Sequence, residues 1–182
     1  FVKLSLPAWI PGSYMIRDFA KNISDLRAEQ QGTALKVNHC DKQTWQIDAP
    51  EVGMLLISYE VYAFDLSVRS AYLDQFWGFF NHSSLCMAVA ERTHEACRVT
   101  VEAHEGWHVA TGMQRDQGHR FGPGEFRVDS YESLIDYPVL MGPLDIHEFI
   151  AGGVKHALVS YLSRPCRYLR IPNRIIWPRT AI

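Results

Sequence analysis

The hydrophobic period limits the fold of this chain more than any other feature. Apolar residues recur at every second position in short runs, and no long run keeps a helical period. Side chains that alternate between two faces bury one of them efficiently only in a sheet, so an all-β chain is expected. Residues 54–62 are apolar and β-prone, with alternation from Ile57 onward, and residues 96–102 alternate with β-branched side chains at Val99, Thr100 and Val101. Residues 1–9, 23–30, 35–38, 44–48, 85–89 and 125–128 read as further strands. Turn signals separate these runs: Gln31-Gly32, Ala49-Pro50, Glu105-Gly106, Gln117-Gly118 and Gly122-Pro123-Gly124. Short strands so punctuated predict an antiparallel β-sandwich. Helix is confined to short turns, expected at 14–20 or after Asp65.

With 182 residues, 47% of them apolar, the chain can bury one sizeable core. A formal net charge of −2 does not call for a polyanionic partner, and no apolar run is long enough to span a bilayer, so neither nucleic acid nor membrane is an expected partner. Cys40, Cys86, Cys97 and Cys166 form no C-x-x-C pair and read as buried free thiols. The chain opens at Phe1 without Met and says little about export; the cytoplasm is the compartment slightly favoured. After Glu148 there is no acidic residue, while Lys155, Arg164, Arg167, Arg170, Arg174 and Arg179 follow. This shift marks a boundary, with one β domain over 1–150. Residues 151–182 are then the start of a next unit, an irregular basic tail, or a truncated or frame-shifted end.

Trp9-Ile10-Pro11-Gly12-Ser13-Tyr14-Met15-Ile16-Arg17-Asp18-Phe19 resembles the W-x-P-G-S-Y-x-x-R-D-F signature of the glycyl aminopeptidase family, family sixty-one of the metallopeptidases. Ala71-Tyr72-Leu73-Asp74 and Gly78-Phe79-Phe80-Asn81 resemble its A-Y-x-D and G-F-F-N stretches. Residues 131–142 resemble its Y-x-x-L-x-D-x-P-V-x-M-G segment. Phe149, Gly153 and His156 resemble the F…G-x-x-H that opens its next unit. The resemblance spans about residues 1–159. It implies the non-catalytic N-terminal domain of a zinc metalloaminopeptidase, a hydrolase acting on small N-terminal residues of peptide substrates. In that family a thermolysin-like catalytic domain with a zinc-binding H-E-x-x-H follows in the same protein. Zinc is then a cofactor of the full-length enzyme and not of this chain, which alone is expected to be inactive. Asn81-His82-Ser83-Ser84 departs from the family's N-G-(S/T) loop at His82, and is expected to be a hairpin loop rather than a site.

His104-Glu105-Gly106-Trp107-His108 also spells H-E-x-x-H. On a helix that spacing puts both His on one face toward a zinc ion, with the Glu as general base. Alternating Val99-Thr100-Val101 before it, Gly106 within it and Thr111-Gly112 after it instead predict a hairpin turn at residues 103–106 with Trp107 opening a strand. His104, Glu105 and His108 are therefore a decoy; the competing reading is a small zinc hydrolase built on them.

The substrate-cleft candidates are Tyr14, Arg17 and Asp18. One reading has them lock the Pro11-Gly12 turn to the sheet, Arg17 pairing with a carboxylate. In the other, the loop reaches a neighbouring catalytic domain, and Asp18 or the Tyr14 hydroxyl meets a substrate α-amine. A third class of function is a free-standing binding module that uses an aromatic surface for peptide or sugar.

Overall fold

The computed structural model of the chain describes residues 1–10 and 12–161, together with the backbone of Arg174–Ile176 and Thr180–Ala181. It is an antiparallel β-sandwich: every strand pairing among the described residues is antiparallel. One sheet orders β4 (Val37–Asp41), β5 (Thr44–Ile47), β1 (Val2–Ser5) and β9 (Ala88–Val89) side by side. In a second, β2 (Ile23–Gln30) lies between β3 (Thr33–Leu35) and β6 (Leu55–Tyr62), and the two C-terminal backbone segments run along β6. A third runs β11 (His108–Thr111), β14 (Pro138–Gly142), β8 (Gly78–Asn81), β7 (Ala71–Leu73). A fourth is β10 (Cys97–Val101), β13 (Gly124–Val128), β12 (Gln114–Gly118). Last comes a separate two-stranded ribbon, β15 (Asp145–Ala151) with β16 (Val154–Ser160).

The alternation of β6 explains how the layers close. Leu55, Ile57, Tyr59 and Val61 are all buried, and their neighbours are open or half-buried. They share one apolar cluster with Leu4 and Ile47 of the first sheet, Phe80, Val109 and Val139 of the third, and Val99, Phe126 and Val128 of the fourth. Each such side chain contributes about 1.5–3 kcal/mol when withdrawn from water. The Tyr59 hydroxyl reaches this core only because it donates to the Leu85 carbonyl at 2.7 Å.

The strands expected at 23–30, 44–48, 54–62, 96–102 and 125–128 form at or within two residues of those limits. Others differ for local reasons. The first strand stops at Ser5 instead of Trp9. The run at 35–38 is split at Lys36, because β3 and β4 belong to different sheets. Residues 14–18 are not helical; a 3-10 turn covers only Phe19–Asn22. Among the described residues the α-helix is α1 (Tyr131–Asp136), whose N-cap Ser130 accepts from the Ser133 N–H at 3.1 Å. At six residues it carries no readable period.

Asn81-His82-Ser83-Ser84 is not an exposed hairpin loop. Asn81 caps a 3-10 turn over His82–Ser84, and all three of its residues are buried. Nor are the cysteines uniformly buried: Cys86 is, Cys97 is half-buried and Cys40 is exposed. Cys166 and most of the basic stretch lie outside the described residues.

Candidate functional site

The segment 9–18 leaves β1 as a closed loop organised by one hydroxyl. Ser13 is buried, and its Oγ donates to the Met15 carbonyl (3.1 Å) while accepting from the Arg17 Nε–H (3.1 Å). Its backbone N–H donates to the Ile10 carbonyl at 3.1 Å, and its carbonyl accepts the Trp9 indole N–H at 2.9 Å. The Arg17 N–H closes the loop on the Ala8 carbonyl. A serine that satisfies backbone groups in this way competes with helix, which is why the stretch stays irregular. Pro11, half of the expected turn, lies outside the described residues.

These bonds sort the sequence candidates. Arg17 is folded inward onto Ser13 and not onto a carboxylate, contrary to the pairing expected for it. Tyr14 is fully exposed at 105%, and Met15 and Ile16 are open at 64% and 75%. Asp18 is exposed at the start of the 3-10 turn, and its carboxylate makes no capping hydrogen bond. Among the described residues the side chains of Tyr14 and Asp18 take no hydrogen bond or ion pair.

A second loop lies against this one. The Arg69 guanidinium donates to the Gly12 carbonyl at 3.4 Å, bridging residues far apart in the chain. That loop exposes Phe64, Leu66 and Val68, so two adjoining loops present Trp9, Tyr14, Met15, Ile16 and these three to solvent. Such a grouping exceeds the single scattered apolar residues of an ordinary surface. The alternation Phe64-x-Leu66-x-Val68 was the available signal in the sequence, but only the fold brings it beside residue 12.

The other motifs serve the fold. Asp74 accepts the Phe76 and Trp77 N–H groups at 2.7 and 2.9 Å and the Tyr72 hydroxyl at 3.1 Å, tying the turn between β7 and β8. Burial, with Asp74 as acceptor, raises the Tyr72 hydroxyl above its ordinary range. Phe64, Tyr72, Trp77 and Tyr161 form a row with ring centroids 5.0–5.3 Å apart. Phe64 stands at the open end of this row and is half exposed. The Tyr131 hydroxyl donates to the Cys86 carbonyl at 2.8 Å, which anchors α1.

His104, Glu105 and His108 are not on a helix. Glu105 and Gly106 form the turn, Gly106 at φ +80, and the Trp107 N–H bonds the His104 carbonyl at 3.0 Å. His104 precedes the turn, and His108 is the first residue of β11. The turn joins β10 of one sheet to β11 of another, so it is a corner and not the hairpin expected. The His104 Nδ1 lies 3.0 Å from the Glu105 carbonyl. No group of three or more His, Cys, Asp or Glu among the described residues is placed to hold a metal ion.

A shallow recess of about 450 Å³ lies elsewhere, lined in part by Arg115, Arg120, Phe121, Phe126 and Lys155. It shares no residue with the 9–18 loop. Its guanidinium groups are engaged, Arg115 with the Gly122 carbonyl (2.9 Å) and the Phe126 ring (4.4 Å), Arg120 with Glu148.

The family model described as the peptidase M61 N-terminal domain matches residues 1–143. Among solved structures, the crystal structure of an aminopeptidase N family protein from Idiomarina loihiensis is similar, with a TM-score of 0.84 and 52% sequence identity over 87% of this chain. The match covers 27% of that chain, so this chain spans about a quarter of the relative's length. No curated protein matches.

Proposed function

Since the chain belongs to the peptidase M61 N-terminal domain family, we propose that it is the non-catalytic β domain of a zinc metalloaminopeptidase, packing through the 9–18 loop on a thermolysin-like catalytic domain and forming one wall of its cleft. The carrying observation is how the motif loop divides its side chains. Trp9, Ser13 and Arg17 spend their hydrogen bonds inward, while Tyr14, Met15, Ile16 and Asp18 face solvent. A loop whose shape needs neither Tyr14 nor Asp18 has both free for something outside the domain.

The chemistry suits a peptide N-terminus. An unpaired carboxylate and a phenol beside an apolar surface offer a charged acceptor to a substrate ammonium group, and a dry neighbourhood strengthens that contact. The flanking Met15, Ile16, Phe64 and Leu66 are suited to the apolar part of the domain interface. Zinc and the water it activates belong, in this reading, to the catalytic domain.

The test is steady-state kinetics of a full-length enzyme that carries this loop. Asp18→Asn raises KM for substrates with a free α-amine by about tenfold to a hundredfold, the worth of one charged hydrogen bond. The inhibition constant of N-acylated analogues stays put. An unchanged KM together with a lower melting temperature assigns Asp18 to the fold and overturns the reading.

A further inference from the structure

The ribbon β15–β16 does not behave as part of the sandwich. Its strands pair residue for residue from Asp145↔Ser160 to Ala151↔Val154, closed by Gly152 and Gly153 at φ +58 and +79, the geometry of a two-residue hairpin turn. Yet almost every side chain along it is open. Phe149, Ile150, Val154 and Leu158 are 52–70% exposed. An isolated two-stranded ribbon is marginal in water, and one that exposes this much apolar surface is a piece of something larger.

Strand alternation separates its faces. Glu148 and its partner Ala157 share one face, which Glu148 ties to the body through Arg120. The other face carries His147, Phe149 and Ala151 opposite Leu158, His156 and Val154, with Phe149 stacked on His156 at 5.3 Å and 16°. At the base of the ribbon Tyr161 stacks on Trp77. The match to the N-terminal domain family ends at residue 143, two residues before β15 begins, and the relative's chain is nearly four times as long as the part matched.

We infer that residues 145–160 are a docking arm, whose face bearing Phe149, Val154 and Leu158 is covered by the domain that follows it in the longer polypeptide. The division between units then falls before Asp145, and not between residues 150 and 151, which would separate two paired strands. The inference shares with the proposed function the premise of a downstream domain, but not the role of the 9–18 loop. Protection of the ribbon and the KM of Asp18→Asn are independent readouts.

The test is amide hydrogen exchange by mass spectrometry. This 182-residue chain is compared with a chimera in which residues 1–161 replace the matched segment of the full-length Idiomarina relative. Amides of 145–160 exchange freely in the short chain and at least about a hundredfold more slowly in the chimera. Phe149→Lys with Leu158→Lys restores fast exchange there, while β6 and β13 stay protected. If β6 and β13 of the chimera are unprotected, the matching ribbon is read in the unaltered relative. Free exchange of the ribbon in the long chain overturns the inference, as does protection that survives the double substitution. Concentration-dependent protection in the short chain also overturns it, assigning the face to a second copy.

Discussion

At the scale of single residues, His82 shows how far a polar side chain can be recruited into a core. It is fully buried, edge-on to Phe80, and its Nδ1 lies 2.6 Å from the Tyr137 carbonyl. A carbonyl only accepts, so Nδ1 carries the proton and Nε2 is left bare in apolar surroundings. Burial, partly opposed by the Tyr137 hydrogen bond, lowers its pKa from 6.5 to about 4. A base whose folded pKa is depressed stabilises the fold fully above the unfolded value; as pH falls from 6.5 toward 4, the unfolded chain takes up the proton first. The loss amounts to about 3 kcal/mol. Urea unfolding at pH 7 and pH 4.5 measures it. His82→Gln keeps a donor for Tyr137 and cannot titrate, so the native chain loses about 2–3 kcal/mol more than the variant. Equal losses would show that His82 is not the group responsible. Nothing in the sequence around residue 82 announced this, because the run reads as polar and only the packing of β8 against β14 turns it inward.

At the scale of elements, the family signature reads largely as joinery. Ser13 organises a loop, Asp74 ties the β7–β8 turn, and the Tyr131 hydroxyl anchors α1. Gly142, at the end of β14, has φ +149, and a Cβ there would lie 2.9 Å from the Trp77 Cβ and 3.2 Å from the Phe76 carbonyl oxygen. The strand and the turn beside it touch because no side chain intervenes. Gly142→Ala is therefore expected to cost about 1–3 kcal/mol in denaturant unfolding. A variant as stable as the parent would mean that the turn yields freely. The strands with strong alternation, such as β6 and β10, were legible in the sequence. β11 was legible as the strand after the 103–106 turn, one residue later than expected at His108, whereas the hairpin β7–β8 and strand β14 were not, since short runs rich in Gly, Pro and aromatics carry no clear period.

At the scale of the whole molecule, one core cluster reaches into all four sheets of the sandwich, and the ribbon stands outside it. Two phenylalanines measure that difference. Phe126 is 1% exposed and Phe149 is 52% exposed. Phe126→Ala is expected to lower unfolding free energy by about 3–5 kcal/mol, and Phe149→Ala to change it by no more than about 0.5 kcal/mol. Comparable losses would place the ribbon within the cooperative unit. The sequence by itself determined the all-β class, the antiparallel sandwich and the family, because period-two alternation and a run of eleven ordered residues are local properties. It also identified a turn at residues 103–106, from β-branched neighbours and Gly106, and the turn forms at Glu105 and Gly106. Tertiary structure alone decided that this turn is a corner between sheets, that His82 is internal, that Arg17 bonds Ser13, and that Arg69 joins the loop of Phe64, Leu66 and Val68 to the motif loop at Gly12. Each of these depends on which strands lie side by side, and pairing between distant segments is set by the summed packing of the core, which no window of sequence contains.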